Sequence, residues 1–167
     1  YPAISIQYRH ARCFARWLSL KTDRHYRLPT ESEWKVLASR SGVTPQNILD
    51  HAWLDENADW VTHPLGEKKT DALGLHDLFG NASEWVSGPN GEHLTYGGCY
   101  ETLAKDALPV KAIPEDMENW NASDPQDPQS IWWLADGGFV GIRLVLELDG
   151  EGKPEPAPAK GVEHETE

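Results

Sequence analysis

The hydrophobic pattern changes period several times along the 167 residues. From Tyr8 to Thr22, Ala11, Phe14, Ala15 and Leu18 recur at i, i+3, i+4 and i+7, with Arg12 and Arg16 on another face. This spacing predicts an amphipathic helix that carries Cys13 as a small buried apolar residue. Pro29 biases Leu28 away from helix. Thr30 and Glu33 then form a capping-box pair ahead of Trp34, Leu37 and Ala38, so a second helix is expected from Glu31 to Arg40. Residues 41–69 lose periodicity and read as loop, with a helical turn near Pro45–Asp50 and with Trp53 and Trp60 pinning the segment to the core. Three later runs favour extended chain: Leu94–Tyr100 with two glycines, Ser130–Leu134, and a closing strand over Gly138–Glu147.

Composition then narrows the class. The chain is 39% hydrophobic with eight Trp, enough for one domain with an aromatic-rich core. A net charge of −12 argues against nucleic acid, whose phosphates require clustered Lys and Arg. Residues 149–167 are acidic and rich in Pro and Gly, with nothing to bury, and are expected to be disordered. Two cysteines, Cys13 and Cys99, allow at most one disulfide, and no apolar run approaches a membrane span. The opening residues lack the pattern of a signal peptide.

Candidate chemistry is sparse outside one stretch. No GxSxG, P-loop or GxGxxG motif occurs, and His51, His63 and His76 have no metal-ligand spacing, so they read as surface or hydrogen-bonded residues. Glu31 and Glu33 resemble an acid–base pair, but their first-turn position is explained by capping and the helix dipole. Asp71–Val86 is different: Gly74 and Gly80 supply positive φ, while Asp77, Asn81, Ser83 and Glu84 concentrate oxygen ligands within a few turns of backbone.

Three motifs in order, RLPTESEW (Arg27–Trp34), GLxDxxGNxxEW (Gly74–Trp85) and GFVGIRLV (Gly138–Val145), resemble the formylglycine-generating-enzyme, or sulfatase-modifying factor, family. The resemblance implies an α+β variant of the C-type-lectin fold over residues 1–148, with two helices, a small twisted antiparallel sheet and long ordered loops. It also implies a calcium ion held by the Asp77 side chain, the Gly80 and Ala82 carbonyls and Glu84, a hard-oxygen set suited to that ion. A second family calcium site would use Asn57, but its loop is shortened here, so that site is expected to be lost. The family's copper centre takes two cysteines at positions that hold Thr102 and Ala107 in this chain, and Cys99 stands where relatives have serine. The iron-dependent sulfoxide-synthase branch draws its histidines from a four-helix domain that these residues do not contain. Neither copper nor iron is therefore expected.

The expected role is a non-catalytic binding or assembly module, an accessory subunit of a larger periplasmic or extracellular complex. The alternative is a metal-dependent oxidase with a site rebuilt from Cys99, Tyr100, Glu101 and Trp120; a ligand-binding module would use the variable segment Glu101–Gln129 and its aromatics, with those four residues as candidate contacts. The resemblance further implies that an N-terminal portion of the domain precedes Tyr1. Without it the strand at Phe139–Leu146 is expected to keep an open edge, to be covered by that portion or by a protein partner.

Overall fold

In a computed structural model, residues 1–108 and 111–158 are described. Helix α1 spans Tyr8–Thr22 and α2 spans Glu31–Arg40, as their sequence periods predict. At α2 both halves of the capping box form: Glu33 N–H donates to Thr30 Oγ1, and Thr30 N–H donates to the Glu33 carboxylate at 2.8 Å. Trp34 then enters the core fully buried. Helix α1 ends where Asp23 turns left-handed. Ser19 fastens its last turn to the next element, accepting from Tyr26 N–H at 2.8 Å.

The inner face of α1 differs from the expected stripe. Tyr8, Ala11, Ala15 and Ser19 are buried, whereas Phe14 and Cys13 are exposed. Small side chains let the helix lie close to β1 (Tyr26–Arg27), which turns Cys13 outward. Three further helices are single turns: α3 (Ile48–His51), slightly later than the expected turn, α4 (Ala104–Ala107) and α5 (Met117–Trp120).

The main sheet holds four strands in the order β4 (Ile113–Pro114), β3 (His93–Tyr96), β2 (Ser83–Ser87), β5 (Val140–Gly141). It is antiparallel across β4, β3 and β2, with Glu84 opposite Tyr96, and β5 joins β2 in parallel. β3 stops before Gly97, where positive φ bends the chain away. A second, two-stranded sheet pairs β1 with β6 (Val145–Leu146).

The expected closing strand is thus divided between two sheets, and Arg143 sits at the corner. The opening residues meet this segment at one point, where Ile4 bridges Gly141; Ile6 bridges Trp133 and accepts from Trp85 Nε1–H at 2.7 Å. Ser130–Leu134 contributes only that bridge. Trp53 lies flat between the His63 ring, 3.8 Å away, and Lys68 Nζ at 4.0 Å. Trp60, by contrast, is 66% exposed and pins nothing.

Residues 149–155, expected to be disordered, turn back on the chain: Asp149 N–H bonds Lys153 O at 2.7 Å and His25 N–H bonds Glu155 O at 2.8 Å. The rest of the tail, residues 159–167, lies outside the described residues, as do 109–110. Two apolar clusters form the core, one around Trp34, Phe79, Leu54 and Tyr96, the other around Trp85, Trp120, Tyr8 and Val140.

Candidate functional site

The loop leading into β2 is built by its own polar side chains. Asp71 Oδ1 accepts from the N–H groups of Leu73 and Leu75 at 2.8 and 2.9 Å, closing the turn in which Gly74 takes positive φ. Asn81 bonds both backbone groups of His63 and, through its own N–H, Trp53 O at 2.7 Å. Gly80, at φ +69°, is the only residue type that fits there, because a Cβ would lie 2.2 Å from Trp53 O.

Glu84 is the centre of this region. The carboxylate is buried and accepts from Arg143 Nε–H at 2.9 Å on each oxygen and from Trp34 Nε1–H at 3.1 Å; Arg143 Nη2 lies 2.8 Å from Oε1. Arg143 also donates to the carbonyls of His76 and Asp77. Burial pulls the guanidinium pKa down, but the charge and hydrogen bonds of Glu84, with Asp77 and Asp71 behind it, leave it raised. One cation therefore faces three carboxylates, and two of these are incompletely satisfied. Asp77 Oδ2 accepts from Gly66 N–H at 2.8 Å, while Asp77 Oδ1 and Asp71 Oδ2 are buried without a hydrogen-bond partner.

Asp77, Ala82 and Glu84 line one cleft of about 470 Å³ together with Arg143 and His76. Gly80 is next to it, with its N–H donated to Gly97 O. The one observation here that bears on calcium is Asp77 Oδ1, a buried carboxylate oxygen without a hydrogen-bond partner, whereas both oxygens of Glu84 already accept from Arg143. Among the described residues no three His, Cys, Asp or Glu side chains form a metal-binding group, so such an ion would depend on carbonyl oxygens as well. Asn57 is fully engaged, accepting from Leu54 N–H and donating to the carbonyls of Leu49 and Ala52. His51, His63 and His76 each bond a backbone carbonyl.

The second candidate constellation is distributed differently. Cys99 is buried in a tight turn in which its N–H donates to Thr102 Oγ1 at 2.9 Å and its Sγ lies 3.6 Å from the same hydroxyl. Burial pushes the thiol pKa up. Tyr100 is also raised, by burial first and then by the charge of Glu101. Ala107 is a core methyl in α4. Trp120 packs on Trp85 and Phe139 in the other core cluster, and none of Cys99, Tyr100, Glu101 and Trp120 lines the Asp77–Glu84 cleft.

Sequence reasoning missed Arg143 and the indole of Trp34 as partners of Glu84. A single Arg between Ile142 and Leu144, in a closing segment that must be buried, was the available signal.

Comparison with known proteins gives a consistent picture. A family model described as the sulfatase-modifying factor enzyme 1-like domain matches residues 1–147. A relative named chaperone protein LppX, from Paenibacillus barcinonensis, is 28% identical over 154 residues, covering 77% of this chain and 43% of its own. PvdO from Pseudomonas aeruginosa superposes with a TM-score of 0.59 at 20% identity, over 86% of this chain and 60% of its own. CarF gives 0.57 at 19% identity, over 86% and 66%. Treponema denticola variable protein 1 gives 0.55 at 22% identity, over 72% and 47%. These structures share the fold, and the chain spans about two fifths to two thirds of the length of each protein it matches.

Proposed function

The chain belongs to the family of sulfatase-modifying factor enzyme 1-like domains, and from that premise we propose that it is a non-catalytic member, a binding or assembly module of an extracytoplasmic complex. The observation that carries this reading is the Cys99 turn. A Cu(I) centre of the family type takes a pair of thiolates. Here one buried thiol, its ionisation disfavoured, is joined by a hydroxyl at Thr102 and a core methyl at Ala107. The other cysteine, Cys13, is exposed on α1. This donor set does not fit a copper–dithiolate centre. The relative named a chaperone supports a role in engaging another protein.

On the same reading Asp77, Glu84 and the carbonyls of Gly80 and Ala82 hold a structural calcium ion, which extracellular concentrations would fill. The ion supplies the positive charge that Arg143 alone does not provide to Asp71, Asp77 and Glu84.

Two experiments test the proposal. Aerobic incubation of the chain with Cu(I) and a CxPxR peptide, followed by mass spectrometry, should yield no formylglycine; turnover would overturn the non-catalytic reading. Chelation should lower the melting temperature, because saturation at about 100 times Kd contributes about 2.7 kcal/mol. Asp77→Ala should remove that response, and a melt insensitive to chelator and to added calcium would reject the ion.

A further inference from the structure

Helix α1 presents an outward face that no described residue covers. With Tyr8, Ala11, Ala15 and Ser19 turned inward, the opposite side carries Cys13, Trp17 and Leu20, with Trp17 56% exposed. Phe14 stacks beside Trp17, ring centroids 5.7 Å apart and planes 27° from parallel. A second strip of chain meets them: Trp132 is fixed by His10, whose Nδ1 lies 3.1 Å from Trp132 O and whose ring meets the indole edge-on at 5.6 Å. His10, Cys13, Phe14, Trp17 and Trp132 line one shallow, mainly apolar cleft. Ile131 and Trp133, its neighbours in sequence, are also exposed. Single exposed apolar residues are ordinary, but a contiguous group of this size marks a contact surface.

The margins of the face are basic. At about 100° per residue, Arg9 and Arg16 fall on one side of the Cys13–Trp17–Leu20 line and Lys21 on the other. Helix α1 holds four of the chain's 15 Lys and Arg residues and none of its 27 carboxylates. In a protein of net charge −12 this is a marked local reversal of sign.

We propose that this face docks peripherally on an anionic lipid surface. Trp17, Leu20, Phe14 and Trp132 enter at headgroup depth, and Arg9 and Lys21 reach the phosphates. Aromatic and aliphatic side chains at the centre with Lys and Arg at the edges is the composition of helices that lie in the plane of a membrane interface, and indoles favour the headgroup level. The long aliphatic stems of Arg and Lys cover apolar surface while their charges stay in the polar layer. A protein partner is disfavoured by what α1 lacks. Its fifteen residues include no Asp, Glu, Asn or Gln, whereas the rim of a protein interface normally mixes both charges with amides. The acidity of the rest of the chain does not cancel the attraction, because exposed charges beyond about 8 Å are screened at physiological ionic strength. No helix is long and apolar enough to cross a membrane, so the contact is one of docking.

The test is co-sedimentation of the full chain with vesicles of pure phosphatidylcholine and with vesicles containing about one third phosphatidylglycerol. The expected result is about tenfold or greater preference for the anionic vesicles, lost as salt is raised. Trp17→Ser with Trp132→Ser should cut partitioning about tenfold, and Arg9→Gln with Lys21→Gln should remove the preference for phosphatidylglycerol. All four side chains are on the surface, and circular dichroism and melting curves check that each variant folds. Equal binding to both vesicle types, binding to neither, or a tryptophan double variant that sediments like the parent would overturn the proposal. So would concentration-dependent self-association abolished by the tryptophan pair, which would assign the face to a second protein. The salt and lipid dependence of the unmodified chain decides the matter even if a variant misfolds.

Discussion

Replacing Arg143 with methionine isolates the interaction on which the two sheets depend. The side chain is of similar length and apolar, so packing beside Ile142 and Leu144 is largely retained while the guanidinium is lost. Glu84 then keeps only the 3.1 Å bond from Trp34 Nε1–H, and the carbonyls of His76 and Asp77 lose their donor. Removing one partner of a buried pair leaves an uncompensated charge and costs about 3–5 kcal/mol. For a domain of this size that is a fall in melting temperature of about 6–20 °C. The double variant Glu84→Gln/Arg143→Met removes both charges and should recover a substantial part of the loss, since the desolvated carboxylate is gone. Added calcium should rescue Arg143→Met more than it stabilises the parent, because the cleft then keeps the carboxylates of Asp77 and Glu84 without the guanidinium. Urea unfolding and thermal melts, each with calcium and with chelator, read all three effects. A single-variant cost below about 1 kcal/mol, the value of a surface pair, would refute the central role given to this ion pair. A double variant no more stable than Arg143→Met would refute the buried-charge explanation of its cost.

Two further outcomes follow from local geometry. Gly80→Ala should destabilise by about 2–5 kcal/mol in urea unfolding, combining a left-handed alanine with the displacement of Trp53 O from a Cβ at 2.2 Å; a loss under about 0.5 kcal/mol would mean that the loop shifts freely. The Arg27 guanidinium holds the Glu33 carboxyl at about 2, with the Thr30 N–H and hydroxyl adding to it. Because the folded value is depressed, this contribution is complete above about 4.5 and is lost as pH falls towards 2. Solvent at the 42%-exposed carboxylate limits it to about 1 kcal/mol. Arg27→Gln should flatten the stability–pH curve in that window, and an unchanged slope would count against the pairing.

What the sequence made legible divides by range of interaction. The limits of α1 and α2 were readable because period, proline and capping box are local signals, whereas the end of the oxygen-rich Asp71–Val86 stretch runs into β2. The inward face of α1 was not, since Phe14 and Leu18 match the period as well as Ala11 and Ala15 do, and close approach to β1 selects the small residues. The turn of α3 was legible in outline, whereas α4 depends on a distant partner: its first N–H is bound by Glu56, 48 positions earlier. The closing segment read as one strand because its composition is uniform, and only a partner 59 positions away, Glu84, makes Arg143 the corner between β5 and β6. At the candidate site, Asp77 and Glu84 were identifiable as oxygen donors, whereas the state of each, one oxygen unpaired at Asp77 and a full set of donors at Glu84, depends on the fold.

The three motifs that carry the family resemblance meet physically. Trp34 from the first, Glu84 from the second and Arg143 from the third form one hydrogen-bonded cluster, which locks α2 and the β5–β6 corner onto β2. A chain that must keep this cluster to fold keeps the motifs whether or not it performs any reaction. The Cys99 turn contributes to neither recognition nor the cluster: its hydroxyl partner at Thr102 and the core methyl at Ala107 are compatible with the same scaffold. The residues that carry family membership are therefore separate from Cys99, Thr102 and Ala107, the positions on which the proposed non-catalytic role rests.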